Sequence, residues 1–376
     1  MKILYTILGT FNSGGMERVL ANKVNYWARI GYEITIVTTD QKNRLPYFKI
    51  DSSIRQIDLN INYTDDIDKG LLFRIFSFFK KNKLHKKKLR DILLEVQPDI
   101  TISMFDNDAS FITDIHDGSK KILEIHFSRY KRIQYNRSGI WKIIDKLRTK
   151  RDINTVNKFD KFIVLTQEDR GYWDGVKNIG VIPNANTFES NVLSNLNHKQ
   201  VLAVGRLDYQ KGFDDLIKIW SIVSVKFPEW KLNIYGDGPL KEEFKALISS
   251  LDLTNSVNIY SPTKNIDQIY LNHSILAMTS RYEGLPMVLL EGQVFGIPLI
   301  SYACKCGPKD IIVDGLNGYL ISEGDIEQFS NQLMLLMESS ELRIKMGEHS
   351  FSNSKNFAEK RIMDEWIFLF KELKNL

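Results

Sequence analysis

SILAMTSRYEGLPMVLLE occupies Ser274–Glu291. Its opening residues are an apolar run of strand length, and they read as a buried β-strand. Gly284-Leu285-Pro286 interrupts the run, and the apolar residues that resume after it read as a helix from Pro286. Proline suits the first helical position, where its missing N–H costs nothing. One strand–turn–helix unit decides little, but the same unit recurs. VLAVGR precedes a helix from Gly212, KLNIYG precedes a helix from Pro239, and SVNIYSP, SILAMTS and PLISY follow in turn. Strands alternating with helices predict a doubly wound α/β domain built on a parallel sheet.

The same alternation runs through the first half. ILYTIL is followed by a glycine-containing turn, a helix through MERVLANKVNYWARI that Gly31 ends, and the strand EITIVTT. DITISMF (Asp99–Phe105), KKILEIH (Lys120–His126), KFIVLT (Lys161–Thr166) and GVIP (Gly180–Pro183) read as further strands. The polar, Asn-rich stretch Asn184–Gln200 breaks the pattern and reads as a linker. The expectation is α/β: two Rossmann-like domains, residues 1–190 and 191–355. A C-terminal amphipathic helix at 356–376 is expected to pack back on the first. Such domains bind ligands at the carboxyl ends of their strands, so a shared cleft is the expected site.

Bulk properties agree. A chain of 376 residues, 43% hydrophobic and 26% charged, has material for two cores. Its two cysteines, Cys304 and Cys306, neither complete a tetrahedral metal site nor suggest a disulfide framework. The N-terminus lacks the long apolar region and cleavage site of a signal peptide, and no apolar run reaches membrane-spanning length. A cytoplasmic protein is expected.

Three strand-following loops of the second half carry unusual residues. GRLDYQKG places Arg206 and Lys211 just past a strand, and their fixed positive charge suits phosphate oxygens. YGDGP places Gly236 and Gly238 between strand and helix, a pattern that a bare turn also satisfies. EGLPMVLLE places Glu283 before a helix and Glu291 inside it. The free N–H groups of that helix's first turn make an anion site. Eight residues of helix rise about 12 Å, so a diphosphate resting there would have a hydroxyl-binding glutamate at each end. The hydroxyl-rich ends of a nucleotide-sugar are its ribose and its sugar.

These stretches, with GGMER near the N-terminus and CGPKDIIVDGLNGYL (Cys306–Leu320), resemble the retaining glycosyltransferases of family 4 over essentially the whole chain. The resemblance implies the GT-B architecture and transfer of a sugar, by default from a UDP-sugar, without metal or other cofactor. It implies that Arg206 and Lys211 bind the donor diphosphate, that Glu283 binds the donor sugar and that Glu291 binds the ribose. Gly284, Leu285 and Pro286 would lie beside the phosphates, and Gly14 and Gly15 would let the first-domain loop approach the donor. His126 matches a histidine near sugar and acceptor; by itself it reads as a core or loop histidine. Asp310 departs from the glutamate usual at its position.

The acidic triplet Asp106–Asp108 fits a metal-binding Asp-x-Asp pattern, but it reads better as a turn cap. Two basic stretches, Lys80–Arg90 after the apolar LLFRIFSFF and Arg129–Arg151, read as a docking surface for anionic lipid. Charge runs are otherwise ordinary solvated faces. The expected partners are a nucleotide-sugar and a saccharide acceptor, lipid-linked in surface-polysaccharide assembly, with peripheral association on the inner face of the plasma membrane. No nucleic-acid motif accompanies the charge. Two alternatives use the same architecture: a nucleotide-sugar 2-epimerase and a non-catalytic nucleotide-sugar-binding subunit.

Overall fold

The structure is a computed structural model that describes residues 1–66, 68–129, 149–263 and 265–375. The chain divides into two compact units, Met1–Pro183 with Ile362–Leu376, and Asn184–Arg361.

In the first unit, β1 (Lys2–Ile7), β2 (Glu33–Thr38), β3 (Arg55–Asp58), β4 (Ile100–Ser103), β5 (Lys120–Glu124), β6 (Lys161–Val164) and β7 (Ile179–Val181) form one sheet. Its order is β3-β2-β1-β4-β5-β6-β7, with every pairing parallel. Strands β1, β2 and β4 are buried almost throughout, as strands covered on both faces must be. Helix α1 (Gly15–Arg29) starts from Gly14 and buries Leu20, Val24 and Trp27. The C-terminal helix Glu359–Lys374 buries Ile362, Met363, Trp366, Leu369, Phe370 and Leu373, a period near 3.6. Within the unit Trp27 meets Trp366 and Phe370 edge-on at 6.1 and 5.1 Å.

The second unit repeats the plan. Here β8 (Gln200–Val204), β9 (Lys231–Tyr235), β10 (Val257–Tyr260), β11 (Ile275–Met278), β12 (Leu299–Tyr302) and β13 (Gly318–Ile321) form a parallel sheet. Their order is β10-β9-β8-β11-β12-β13. Its core joins Trp220 and Leu216 from helix Phe213–Lys226 with Phe329 and Leu333 from helix Ile326–Glu338. In both sheets the strand order reverses at the first strand, between β1 and β4 and between β8 and β11. Loops on either side of such a reversal diverge and leave a crevice.

Several boundaries differ from the sequence expectation. The units part at 183/184 rather than at 190, because the Asn-rich stretch is no free linker. Asn186 N donates to Phe357 O at 2.7 Å, Asn186 Nδ2 donates to Ser354 O at 2.8 Å, and Leu196 is buried. Residues 356–361 also stay with the second unit. The helix expected from Pro286 begins at Met287 with Pro286 as its cap, and the helix expected from Pro239 begins at Lys241. His126 lies two residues beyond β5 rather than at its end.

Candidate active site

The crevice of the second unit lies at the ends of β8 and β11, and both loops there carry the charged residues singled out above. After β8 the chain passes Gly205 and Arg206 into a turn, Tyr209–Lys211, capped by Asp208. Gly212 then adopts φ 61°, and a Cβ on it would sit 2.2 Å from Thr279 O. Only glycine fits there. The two loops are stitched together. Arg281 N donates to Gln210 O at 2.8 Å, Gln210 Nε2 to Tyr282 O at 3.0 Å, and Thr279 Oγ1 to Gly212 O at 2.9 Å. The Arg281 guanidinium, 4.3 Å above the Tyr209 ring, binds Tyr209 O at 2.7 Å and Asp214 Oδ2 at 2.8 Å.

This stitching brings Lys211 Nζ to 2.7 Å from Glu283 Oε1, although the two residues are 72 positions apart. Glu283 is nearly buried, so the pair is held rather than frayed. Arg206 extends into solvent, with 70% of its side chain exposed and Asp208 Oδ2 3.6 Å away. Leu285 is buried beside them, and Gly284 and Pro286 lead into the helix Met287–Val294, whose first N–H groups have no intrahelical partner. Glu291 lies in the second turn, 3% exposed, and accepts from Tyr270 Oη at 2.7 Å. The arrangement offers a cation paired with a carboxylate, a second cation reaching into water and a helix start.

Neighbouring loops close around this pair. A Cβ on Gly236 would lie 1.9 Å from Gly205 O, and one on Gly238 would lie 2.5 Å from Leu207 O. Both glycines therefore let the loop after β9 pack on the loop after β8, and they act on the site through that backbone. On the other side Glu283 N donates to Lys305 O at 3.2 Å. Cys304 and Cys306 flank Lys305 and are buried. Burial, then the Glu283 charge, pushes the Cys304 thiol well above its usual range. Cys304 therefore lies within electrostatic reach of Glu283.

In the first unit Gly14 caps α1 and Gly15 begins it; a Cβ on Gly14 would meet Glu17 Oε2 at 2.4 Å, and one on Gly15 would meet nothing. The His126 ring is buried, its Nε2 2.6 Å from Glu124 Oε1, and its Nδ1 has no hydrogen-bond partner. Lys23 Nζ, buried beneath Trp366, donates to the same carboxylate oxygen, and Tyr5 Oη donates to Glu124 Oε2 at 3.3 Å. Burial works against charge on Glu124, but the Lys23 ammonium and the His126 ring outweigh it and hold the carboxyl below its ordinary range. Asp106 caps the short helix Asn107–Ser110 by accepting from Asn107 N at 2.8 Å. Among the described residues no group of three or more His, Cys, Asp or Glu side chains is placed to hold a metal ion.

The family model for glycosyl transferases group 1 matches residues 185–352. The amylovoran biosynthesis glycosyltransferase AmsD of Erwinia amylovora is 31% identical over 97% of this chain and 98% of its own length. This chain belongs to the group 1 glycosyltransferases. At 26% identity it also matches, over 100% of its own length and 99% of the relative's, a Campylobacter jejuni enzyme. That relative is the GalNAc-alpha-(1->4)-GalNAc-alpha-(1->3)-diNAcBac-PP-undecaprenol alpha-1,4-N-acetyl-D-galactosaminyltransferase. Among solved structures, a mutant of S. aureus TarM in complex with Fondaparinux, alpha-GlcNAc-glycerol and UDP superposes with a TM-score of 0.79 at 17% identity. The match covers 98% of this chain and 99% of that one, and it shares the GT-B fold.

Three parts of the second unit's crevice were missed in the sequence, namely Arg281, Tyr270 and the backbone of Lys305, and so was Glu124 beneath His126 in the first unit. Glu124 had a usable signal, since a carboxylate in a buried strand requires a partner. Arg281 and Tyr270 had none, because their partners are distant in the chain.

Proposed function

We propose that this glycosyltransferase moves a sugar from a UDP-sugar to a lipid-linked saccharide with retention of anomeric configuration, as a family 4 enzyme. The observation that carries the reading is the Lys211–Glu283 pair, 2.7 Å apart ahead of the helix Met287–Val294. A diphosphate at that helix start would meet Lys211 and Arg206, and Glu283 would turn its remaining acceptor capacity to a sugar hydroxyl. Charge builds on the departing diphosphate as the anomeric bond breaks, so fixed cations and a helix start stabilise the transition state more than the ground state. With Glu283 assigned to a sugar hydroxyl rather than to covalent attack, the acceptor hydroxyl attacks from the leaving-group side and the departing phosphate takes its proton. The two cations do the work that a divalent metal does elsewhere, so full activity in EDTA is expected.

Glu291 is proposed for the ribose, the Tyr270 hydroxyl orienting its carboxylate. His126, held by Glu124, is proposed to face sugar and acceptor through its unpartnered Nδ1. The lipid-linked acceptor follows from the undecaprenyl substrate in the Campylobacter relative's name and from α2 (Leu71–Val96). Leu71, Leu72, Phe76 and Phe79 on that helix are 71%, 84%, 74% and 69% exposed, and Lys80, Lys83, Lys87 and Arg90 follow on its exposed side. Apolar residues backed by lysines suit a bilayer with anionic headgroups. Of the second basic stretch, residues 130–148 lie outside the described residues. Among the described residues no helix is long and apolar enough to cross a membrane.

Incubation with a panel of nucleotide-sugars and a polyprenyl-diphosphate oligosaccharide, with the product linkage read by NMR, tests the proposal. An α-linked product from an α-linked donor is expected; a β-linked product would refute retention.

A further inference from the structure

Lysine is almost never fully buried unless it is paired, yet Lys23 lies in the apolar stripe of α1, between Val19 and Trp27, and is 2% exposed. Its ammonium sits 4.1 Å from the centre of the Trp366 ring on the C-terminal helix. It donates to Glu124, the fully buried last residue of β5. Burial lowers the Lys23 pKa from its ordinary value, and the Glu124 charge restores part of the loss. Such a pair adds little to stability, because apolar side chains of similar volume commonly do as well or better. The core itself has no need of these two charges.

His126 does need them. Leu123 and Ile125 join the core cluster with Phe162 and Val164, while Glu124 and His126 alternate with them along the chain. His126 Nε2 lies 2.6 Å from Glu124 Oε1, the oxygen that Lys23 also binds, and Tyr5 Oη donates to Oε2 at 3.3 Å. A nitrogen lone pair would be repelled at that distance, so Nε2 carries a proton toward the carboxylate and Nδ1 is the nitrogen left for a substrate. An ionised carboxylate accepts on both oxygens and offers no donor, so it holds the ring one way round; an amide does not. We propose that Lys23 is a positioning residue for sugar transfer, which through Glu124 fixes the tautomer and orientation of His126. Trp366 packs against the ammonium, so the C-terminal helix, which the chain reaches after the second unit, completes the support of a first-unit histidine. The inference rests on the reading of His126 as facing sugar and acceptor.

The test compares the native full chain with Lys23→Met, Glu124→Gln and the two changes combined. Each single change strands one buried charge and is expected to lower the melting temperature; the double variant strands neither and is expected to regain the loss. Transfer is expected to behave differently. A displacement of about 1 Å at a reacting group costs about a hundredfold, so kcat is expected to fall by about that factor in Lys23→Met and to stay as low in the double variant. UDP affinity is expected to be unchanged throughout, because the diphosphate contacts lie in the second unit. Recovery of kcat together with the melting temperature in the double variant overturns the proposal and leaves the pair purely structural. Nitrogen-15 spectra of the histidine rings, with His126→Asn to assign the signals, read the tautomer directly. The native chain is expected to show the proton on Nε2 and none on Nδ1, and the double variant a mixture of tautomers. A proton on Nδ1 in the native chain, or the native pattern in the double variant, overturns the proposal. The spectra are taken without substrates, so their failure leaves the transferase reading standing. The expected spectra with no transfer from any nucleotide-sugar would fault the transferase reading, and the positioning role with it.

Discussion

The two sheets of this chain reverse strand order at equivalent places, yet the loops there carry opposite chemistry. At the ends of β8 and β11 stand Arg206, Lys211 and Arg281, with Glu283 neutralising one of them. At the ends of β1 and β4 stand glycines and the carboxylates of Asp106 and Asp108, with Asp40 close by. Burial, then the charges of Asp108 and Asp40, pushes the Asp106 carboxyl up to about 6. The charged side chains are mainly cationic at the crevice of the second unit and mainly acidic at that of the first. Duplicating an architecture places crevices; the residues in the loops decide what enters them.

The largest test of that contrast removes the cations. Arg206→Ala with Lys211→Ala is expected to lower kcat by about a thousandfold or more, since removing one preorganised stabilising group costs about a hundredfold upward. Stability is expected to fall as well, because Lys211→Ala leaves the nearly buried Glu283 carboxylate without its partner, whereas Arg206 is mostly in solvent and adds little. Next comes the buried network of the first unit. Glu124→Gln leaves Lys23 buried without its counter-charge, and breaking such a pair costs about 3 to 5 kcal/mol. Urea denaturation followed by tryptophan fluorescence should show that loss in the first unit, with UDP affinity unchanged.

A smaller effect is expected at Gly238→Ala. Its Cβ would press on Leu207 O from 2.5 Å, shifting the loop that carries Arg206 and Lys211. Nucleotide-sugar KM is expected to rise by about tenfold, since positioning errors of this size weaken catalysis steeply, and the melting temperature is expected to fall because the obstructing atoms are backbone. The smallest effect sharpens the acidic side. The raised Asp106 pKa means that the folded chain binds its proton more tightly than the unfolded chain, whose pKa is about 4. Stability therefore falls as pH rises from about 4 to 6, and the deficit remains at neutral pH. Asp106→Asn keeps an acceptor for Asn107 N. It should raise stability at pH 7 by on the order of 1 to 2 kcal/mol and flatten that part of the pH profile.

The sheets were legible in the sequence because their central strands are short apolar runs separated by helical patterns. Strands β3 (Arg-Gln-Ile-Asp) and β13 (Gly-Tyr-Leu-Ile) were not, since each is a four-residue edge strand, partly exposed, the first with one apolar residue and the second with a run too short to stand out. The pairing of Lys211 with Glu283 was approachable because each follows a strand and the reversal of strand order makes those loops neighbours. The bond between Tyr270 and Glu291 was not, because helix packing alone brings the two together. The Asn-rich stretch misled for a related reason. Its polar residues suggested solvent, but Asn186 and Ser194 spend their hydrogen bonds on the second unit's own backbone.

The most direct measurement is a crystal structure of the chain with a nucleoside diphosphate. The expected density places both phosphates at the start of the helix Met287–Val294, within hydrogen-bonding distance of Arg206 and Lys211 and with Glu283 beside the terminal phosphate. Phosphates bound elsewhere, with the Lys211–Glu283 pair undisturbed and remote from them, would contradict the assignment of the donor site.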